Sequence, residues 1–228
     1  MEFFDAIKTR RSVRVFTETP VPDEVMARAL DAALIAPNSS NMQTWQFLQV
    51  SSPETKAKLV KACFSQNAAK TAQELVVVVA NISLWKRNRS EMLRVLTESK
   101  APKFAFDYYG KLVPLTYGFT WLAPLKWLLL SLIGLVRPIT RRPSKRDMQE
   151  VAITSAALAA QNFMLALTAQ GFASCPMGGF DEVRVKKMLR LTRNSRVVMV
   201  IGIGEADPLK GLYGPQVRFN RDWFVARV

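Results

Sequence analysis

The stretch Arg10-Arg11-Ser12-Val13-Arg14 decides how this chain is read, together with Pro37-Asn38-Ser39-Ser40-Asn41-Met42-Gln43-Thr44-Trp45 about two dozen residues later. Arginine offers planar, permanently charged donors that match phosphate oxygens in pairs, and serine adds a short hydroxyl donor. The second stretch is rich in amide and hydroxyl groups, which suit a sugar-like chain or the polar edge of a ring. A basic triplet alone more often marks a solvated surface. The phosphate hypothesis therefore depends on the two stretches occurring together.

Length and composition predict one globular domain that favours anionic partners. The chain has 228 residues and a mass of 25.6 kDa, which suits one large domain or two small ones. Apolar residues make up 49% and charged residues 22%, an ordinary globular balance. Because no repeat or linker divides the sequence, we predict a single domain over residues 1–228. The net charge of +14 favours anionic ligands, acidic membrane surfaces or nucleic acid.

The absence of histidine narrows the possible chemistry. It excludes a Ser-His-Asp triad and histidine-based metal sites, so we predict no metal and no catalytic side chain, and we expect a bound cofactor to carry the reaction. Cys63 and Cys175 are too few for a disulfide framework, which indicates a reduced, cytoplasmic protein. The N-terminal segment lacks the regions of a signal peptide. The basic residues are dispersed rather than interleaved with aromatics, so we predict no nucleic-acid partner.

Hydrophobic periodicity predicts a mixture of helices and strands. Alternation predicts a half-buried strand over Trp45–Val50, and the β-branched run Leu75–Ala80 predicts a central strand buried on both faces. Ser144-x-x-Asp147 resembles a capping box, which would open a long helix from Lys145 to about Gln170. The other predicted elements are helices that begin near Phe3, Asp23, Pro53 and Asp181 and strands over Phe172–Cys175 and Val197–Gly204.

Two features predict an obligate homodimer. Small residues at Ala156, Ala157, Ala159 and Ala160 allow another helix to approach closely, so we predict that they form the centre of a dimer interface. The tail Arg221–Val228 resembles a strand and has no obvious partner within one chain. We therefore predict that the tail is exchanged onto the sheet of the partner subunit.

The order of the motifs resembles the FMN-dependent nitroreductase family. That family opens with Arg-Arg-Ser-x-Arg and continues with Pro-Ser-x-x-Asn-x-Gln-Pro-Trp, and Pro176-Met177-Gly178-Gly179-Phe180 is similar to its Pro-x-Glu-Gly-Phe. The resemblance implies an α+β fold with a central, mostly antiparallel sheet flanked by helices, in an intertwined homodimer. It also implies FMN as cofactor and NAD(P)H as electron donor. The sequence departs from the family pattern at Thr44, in place of proline, and at Gly178, in place of glutamate.

The resemblance also implies roles for the site residues. The arginines and Ser12 would hold the FMN phosphate, and the polar loop would reach the ribityl chain and ring from the other subunit. Lys70 would stand beside the N1–O2 edge of the flavin, and a backbone N–H near Gly178 would point at N5. The complete set of implied cofactor-binding residues is Arg10, Arg11, Ser12, Arg14, Pro37, Asn38, Ser39, Asn41, Gln43, Asn67, Lys70, Pro176, Met177, Gly178, Gly179 and Arg218.

The activity that the resemblance implies is hydride transfer from NAD(P)H, through flavin N5, to a flat aromatic acceptor such as a nitroarene or quinone. Donor and acceptor would bind in turn, in ping-pong order. An alternative stays open: a membrane-surface flavoprotein that passes electrons to a lipid-soluble quinone or to a partner protein.

The segment Leu112–Ile139 is the apolar part of an expected insertion at about 102–143. Its densest part, between Pro124 and Pro138, is shorter than the roughly 20 residues needed to span a bilayer. We expect the segment to roof the active site, with Tyr108, Tyr109 or Trp121 stacking on an incoming ring. Alternatively, the segment would lie at a membrane surface and be a peripheral membrane contact.

Overall fold

The computed structural model describes residues 1–118 and 120–228, and these form an α+β fold around one four-stranded sheet. The strands lie in the order β1-β2-β4-β3, and every pairing is antiparallel. The predicted fold class and the predicted central antiparallel sheet are thus confirmed. The strands are β1 (Trp45–Gln49), β2 (Glu74–Asn81), β3 (Ala173–Met177) and β4 (Ser195–Gly204).

Helices flank the sheet on both faces. The α-helices are α1 (Phe3–Thr9), α2 (Asp23–Leu34), α3 (Pro53–Ala62), α4 (Asn67–Lys70), α5 (Trp85–Glu98), α6 (Lys103–Asp107), α7 (Val113–Tyr117), α8 (Ala123–Ile133), α9 (Lys145–Ala169) and α10 (Glu182–Met188). A π-helical turn spans Tyr108–Leu112, and 3-10 turns span Ser39–Asn41, Ile82–Leu84, Thr120–Leu122 and Arg221–Trp223.

The central strand is β2, as its uninterrupted apolar run predicts. Leu75 through Val79 are fully buried because one face of β2 meets α9 and the other meets the side of the sheet covered by α3 and α10. Strand β3 lies at the edge and continues through Pro176 to Met177, two residues beyond the predicted end. Proline is compatible with an edge strand, where one side of the backbone needs no ladder hydrogen bond.

Helix α9 begins with the predicted capping box. The Ser144 hydroxyl accepts a hydrogen bond from the Asp147 backbone N–H at 3.1 Å, and the Asp147 carboxylate accepts one from the Ser144 N–H at 2.8 Å. The hydroxyl of Ser144 lowers the pKa of Asp147. This reciprocal pair satisfies two backbone donors that a helix N-terminus otherwise leaves unpaired. Both the start of α9 and its length were therefore readable from the sequence.

The alanines of α9 allow close helix approach as predicted, but the predicted partner is wrong. Ala156, Ala159 and Ala160 are fully buried against α2 and the sheet of the same chain. The Asn162 side chain also donates to the Ala32 carbonyl of α2 at 3.2 Å. The face of α9 that remains open contains Thr154, Leu158 and Gln161 instead.

The insertion and the tail differ from the core because they bury little. No residue of α8 is buried, and residues 212–228 are all exposed. The tail forms a 3-10 turn in which Phe219 stacks on Trp223 at 5.8 Å, and it forms no strand in the described single chain. Phe119 of the predicted segment Leu112–Ile139 lies outside the described residues.

In the described part of the chain, α9 is the one helix that is long and apolar enough to cross a membrane. Its buried stripe packs against the sheet and α2, which is the arrangement of a core helix. Helix α8 has 11 residues, or about 16 Å of rise, which is half of the roughly 30 Å hydrocarbon thickness.

Candidate active site

Strand β3 and the loop at Gly211 position the arginine motif. Ser12 forms a parallel bridge with Ser174 at the edge of the sheet, and the Val13 N–H donates to the Ser174 carbonyl at 3.1 Å. The Arg14 N–H donates to the Gly211 carbonyl at 2.7 Å. Because side chains alternate along an extended backbone, Val13 enters the core while Ser12 and Arg14 stay half-buried at the surface.

The motif forms one wall of a cleft of about 310 Å³, which we call the arginine cleft. Its other wall is the chain from Leu212 to Arg218, so Arg218 lies at the same cleft as the four N-terminal motif residues. Arg11 donates to the Gly214 carbonyl at 2.6 Å and thereby fixes the tail as a wall. Among the described residues, no carboxylate lines the cleft.

The polar atoms of the arginine cleft fit a phosphate group. Arg10 Nη1 is buried and has no hydrogen-bond partner among the described residues. A buried, unpaired donor costs about 1–3 kcal/mol, and more when it is charged, so it is expected to have a ligand. Ser174 Oγ, beside Ser12, is also buried without a described partner. A dianion with three acceptor oxygens would satisfy these donors together with Arg14 and Arg218.

The predicted ring-binding residues lie next to the cleft. Asn67 Nδ2 donates to the Tyr213 hydroxyl at 3.4 Å, which connects α4 to the tail wall. Gln66 Nε2 donates to the Gly179 carbonyl at 2.7 Å, which connects α4 to the Pro176–Phe180 segment. Lys70 lies at the end of α4 with an exposed side chain. Local sequence patterns did not identify Tyr213 as a neighbour of Asn67, and they did not indicate that Gln66 binds the Gly179 carbonyl.

The backbone at Gly178 and Gly179 is open to a ligand. A Cβ atom at Gly178 would meet nothing within 4 Å, and one at Gly179 would approach Gln66 Nε2 only at 3.5 Å. Neither glycine is therefore demanded by packing inside the chain. Their absent side chains leave the backbone N–H groups accessible to a flat ligand.

The polar loop is a compact turn with its own hydrogen bonds. Asn38 Oδ1 accepts from the Gln43 N–H at 2.9 Å, and Asn41 Oδ1 accepts from Gln43 Nε2 at 3.2 Å. Ser40, Asn41 and Gln43 have φ between 44° and 56°, a left-handed conformation in which asparagine is enriched. Asn88 of α5 donates to the Met42 carbonyl at 2.8 Å, a contact across 46 residues that no local pattern indicates.

The loop and the arginine cleft do not meet within one chain. The Ser39 N–H contacts Ser155 Oγ at 3.4 Å near the middle of α9, whereas Arg10 and Arg11 line a cavity with Thr168 at the C-terminal end of the helix. Ser155 and Thr168 are thirteen residues apart on α9, which corresponds to about 20 Å of helix. The two sets of predicted residues also line different cavities.

The start of the insertion packs on the polar loop. The Tyr108 hydroxyl lies 2.6 Å from Ser40 Oγ, and the Tyr109 hydroxyl donates to the Ser40 carbonyl at 3.0 Å. Arg89 of α5 holds the Tyr109 carbonyl at 2.5 Å and was not identified from the sequence. Trp121, the third predicted stacking residue, is 77% exposed.

Neither cysteine has the environment of a nucleophile. Burial raises the pKa of Cys63 to about 11. Burial also raises the pKa of Cys175, although the nearby guanidiniums of Arg14 and Arg10 oppose the shift. Both thiols are therefore protonated at neutral pH. Within the described ranges there is no group of three or more Cys, Asp or Glu side chains that could hold a metal ion.

The chain is similar to known proteins in both sequence and fold. The family model described as "Nitroreductase family" matches residues 7–205. The chain is similar to the protein DrgA of a Synechocystis strain, with 28% identity over 90% of this chain and 84% of DrgA. It is also similar to YodC of Bacillus subtilis, named as an NAD(P)H nitroreductase, with 29% identity over 89% of this chain and 88% of YodC. In fold it is similar to a protein of Exiguobacterium sibiricum solved in complex with FMN, with a TM-score of 0.75, 22% identity and coverage of 100% and 98% of the two chains.

Proposed function

The chain belongs to the nitroreductase family, and from this premise we propose that its arginine cleft holds the phosphate of FMN. As a member of this family it is an FMN-dependent oxidoreductase that uses NAD(P)H as electron donor. When bound, FMN would supply the redox chemistry, which is hydride and electron transfer. The protein supplies binding, orientation and charge.

The observation that carries this proposal is the unpaired Arg10 guanidinium nitrogen. The nitrogen is buried, and Arg10 lines a cleft with three further arginines and, among the described residues, no carboxylate. Arg14, Ser12 and Arg218 add donors around the same space, and Arg11 keeps the tail wall in place. A phosphate would convert a set of mutually repelling cations into charge-assisted hydrogen bonds.

Residues of α4 and the Pro176–Gly179 segment would hold the flavin ring in this proposal. Asn67 reaches the rim of the cleft through Tyr213, and Lys70 would be the cation for the N1–O2 edge. The open backbone at Gly178 and Gly179 would offer N–H groups to the ring. Gly178 provides no carboxylate where the family pattern has glutamate, so only the backbone can act there.

The remaining donors come from a second subunit. The polar loop, Pro37, Asn38, Ser39, Asn41 and Gln43, is about 20 Å of helix away from the cleft of its own chain. A site that uses both sets must take the loop from the partner, which makes a homodimer with two shared sites. The exposed apolar tail is the segment that we expect to be exchanged.

The acceptor is a flat aromatic molecule in this proposal, a nitroarene or a quinone. Tyr108 and Tyr109 pack on the polar loop, so they would form a wall of the same shared site. NAD(P)H and the acceptor would occupy this space in turn, in ping-pong order.

In this proposal the insertion at about 102–143 is part of a single domain of residues 1–228. The reduced cytoplasm suits the two free cysteines.

Replacing clamp arginines tests the proposal. Charge-assisted hydrogen bonds contribute roughly 1.5–3 kcal/mol each, so Arg14→Ala and Arg218→Ala should each weaken FMN binding by about ten- to a hundredfold. The measurement is FMN titration followed by quenching of flavin fluorescence. Arg193→Ala is the matched control, because Arg193 is exposed outside the cleft. An unchanged dissociation constant in both clamp variants would remove these residues from the site.

A further inference from the structure

Helix α8 carries an apolar ridge that is left exposed by the described residues of the chain. Leu125, Leu128, Leu129 and Leu132 lie at i, i+3, i+4 and i+7, so they share one face of the helix. All four are more than half exposed. We call this face the leucine ridge. Soluble monomers seldom leave a contiguous apolar patch of this kind open, so its presence indicates a binding surface.

Further exposed apolar side chains accompany the ridge, and the charged side chain of Lys126 is directed away from solvent. Trp121 before the helix and Trp127 on its other side are also exposed, and Leu135 and Val136 follow with 83% and 90% exposure. Lys126, the one charged residue of α8, points back to the protein and donates to the Leu115 carbonyl at 2.8 Å. Burial lowers the pKa of Lys126. The exposed surface of α8 is therefore apolar, with two tryptophans beside it in the sequence.

The sequence around α8 is basic and has no acidic residue. Between residues 111 and 146 there are seven basic residues and no Asp or Glu, which is half of the net charge of +14. The five after the helix are exposed, and in the described part of the chain only Arg146 makes an ion pair, with Glu150. The seven residues are Lys111, Lys126, Arg137, Arg141, Arg142, Lys145 and Arg146.

We call the five exposed basic residues after α8 the basic run. We propose that the leucine ridge and the basic run dock this protein onto the surface of an anionic lipid bilayer. At about 16 Å the helix is too short to cross the hydrocarbon core but long enough to lie in the interface. Tryptophan prefers this depth, and each Lys or Arg near an anionic surface contributes to attraction.

A second copy of the chain fits the ridge less well than a bilayer. A symmetric contact through α8 would place two segments of seven cations against each other. Any other surface of the partner belongs to a molecule that itself carries +14. An anionic lipid surface offers apolar depth and opposite charge in the arrangement that the ridge and the basic run require.

Vesicle co-sedimentation of the FMN-loaded protein tests the proposal. We expect binding to vesicles of phosphatidylcholine with phosphatidylglycerol, and much weaker binding to phosphatidylcholine alone. Leu128→Ser/Leu132→Ser should reduce binding about a hundredfold, because two leucines no longer enter the apolar layer. Arg137→Gln/Lys145→Gln should reduce it roughly thirtyfold at low salt, and less at high salt.

Matched variants on the opposite side of the sheet control for charge and hydrophobicity. Lys61→Gln/Lys187→Gln removes two exposed lysines and Phe64→Ser/Val183→Ser removes two exposed apolar side chains, and neither should change vesicle binding. Bound flavin and turnover of a soluble quinone verify folding and separate docking from catalysis. The proposal is overturned if the native protein does not distinguish the two vesicles. It is also overturned if the leucine variant binds vesicles normally but sediments as a smaller species, which would make the ridge a subunit contact.

Discussion

The arginine cleft and the leucine ridge are both incomplete in the single chain, but in opposite ways. The cleft has four guanidiniums and, among its described lining residues, no carboxylate, so one small anion with a few oxygens would satisfy it. The ridge is made of exposed leucine side chains in the described part of the chain, so any deformable apolar surface would cover it. The comparison shows that an unsatisfied hydrogen bond defines its ligand closely, whereas exposed apolar area defines only a class of partner.

We expect the largest effect when Arg10 is replaced, because this tests directly whether the cleft lacks an anion. Arg10→Met removes the unpaired buried donor, so we expect FMN affinity to fall by about a hundredfold. The unfolding free energy of the flavin-free protein should stay unchanged or rise by about 1 kcal/mol. Flavin titration and urea denaturation measure the two quantities.

Arg218→Met is the matched variant for this test. Arg218 is exposed and donates to its neighbouring Val217 carbonyl, so its loss should weaken FMN binding without changing stability. If Arg10→Met instead destabilises the flavin-free protein by several kcal/mol, the Arg10 guanidinium is a structural group of the chain. The cleft would then have no vacancy that needs an anion.

A smaller effect is expected when the tail is shortened, and it shows which region depends on a second chain. Deleting residues 221–228 keeps Arg218 but removes the apolar end of the tail. We expect sedimentation velocity to shift toward the monomer and FMN affinity to fall by about tenfold, because the partner's loop is lost. Vesicle binding through the leucine ridge should persist. A truncated chain that remains a dimer with native flavin affinity would contradict the shared site.

The smallest expected effect is that of the arginine charges on the pKa of Cys175, and buried Cys63 is the matched comparison. Cys175 lies near Arg14 and Arg10, which oppose the rise in its pKa, whereas the pKa of Cys63 rises to about 11 by burial alone. In the single variants Cys63→Ala and Cys175→Ala, thiolate absorbance should therefore show Cys175 ionising at lower pH than Cys63. Simultaneous titration would mean that the guanidinium charges act only toward the cleft.

The raised pKa of Cys63 also predicts how the stability of the folded chain changes at alkaline pH. The pKa of Cys63 is about 11 in the folded chain against an ordinary value of 9.0, so stability is unaffected below pH 9 and falls as the pH rises from 9 to 11. Linkage gives a loss of about 2 kcal/mol at pH 11. Cys63→Ala should remove this part of the pH dependence in denaturation curves.

Much of the fold could be predicted because its signals are local. The run Leu75–Ala80, the Ser144–Asp147 capping box and the alternation after Trp45 each specify an element from neighbouring residues. The arginine motif was recognisable for the same reason, and its union with Arg218 followed from the family order. The residues that local patterns missed, such as Arg89, Asn88 and Tyr213, act through contacts between distant parts of the chain.

What failed concerns the choice between equivalent partners. A stripe of small residues on α9 predicts close helix approach but does not say which helix approaches, and α2 of the same chain occupies it. Trp121 lies in the expected insertion and is 77% exposed in the single chain, so its stacking role stays a prediction. Composition predicts that a surface will be covered, while topology decides by what.

The bond from Arg11 to the Gly214 carbonyl joins residues 203 positions apart, and it has a thermodynamic consequence. Because the tail is one wall of the cleft, an anion that orders the arginines also orders the start of the segment that we expect to reach the partner. Binding of flavin and association of subunits then share a coupling free energy, and reciprocity requires it to be equal in both directions. Flavin would tighten dimerisation by the same free energy with which dimerisation tightens flavin binding, so dilution and cofactor depletion would reinforce each other in dissociating the dimer.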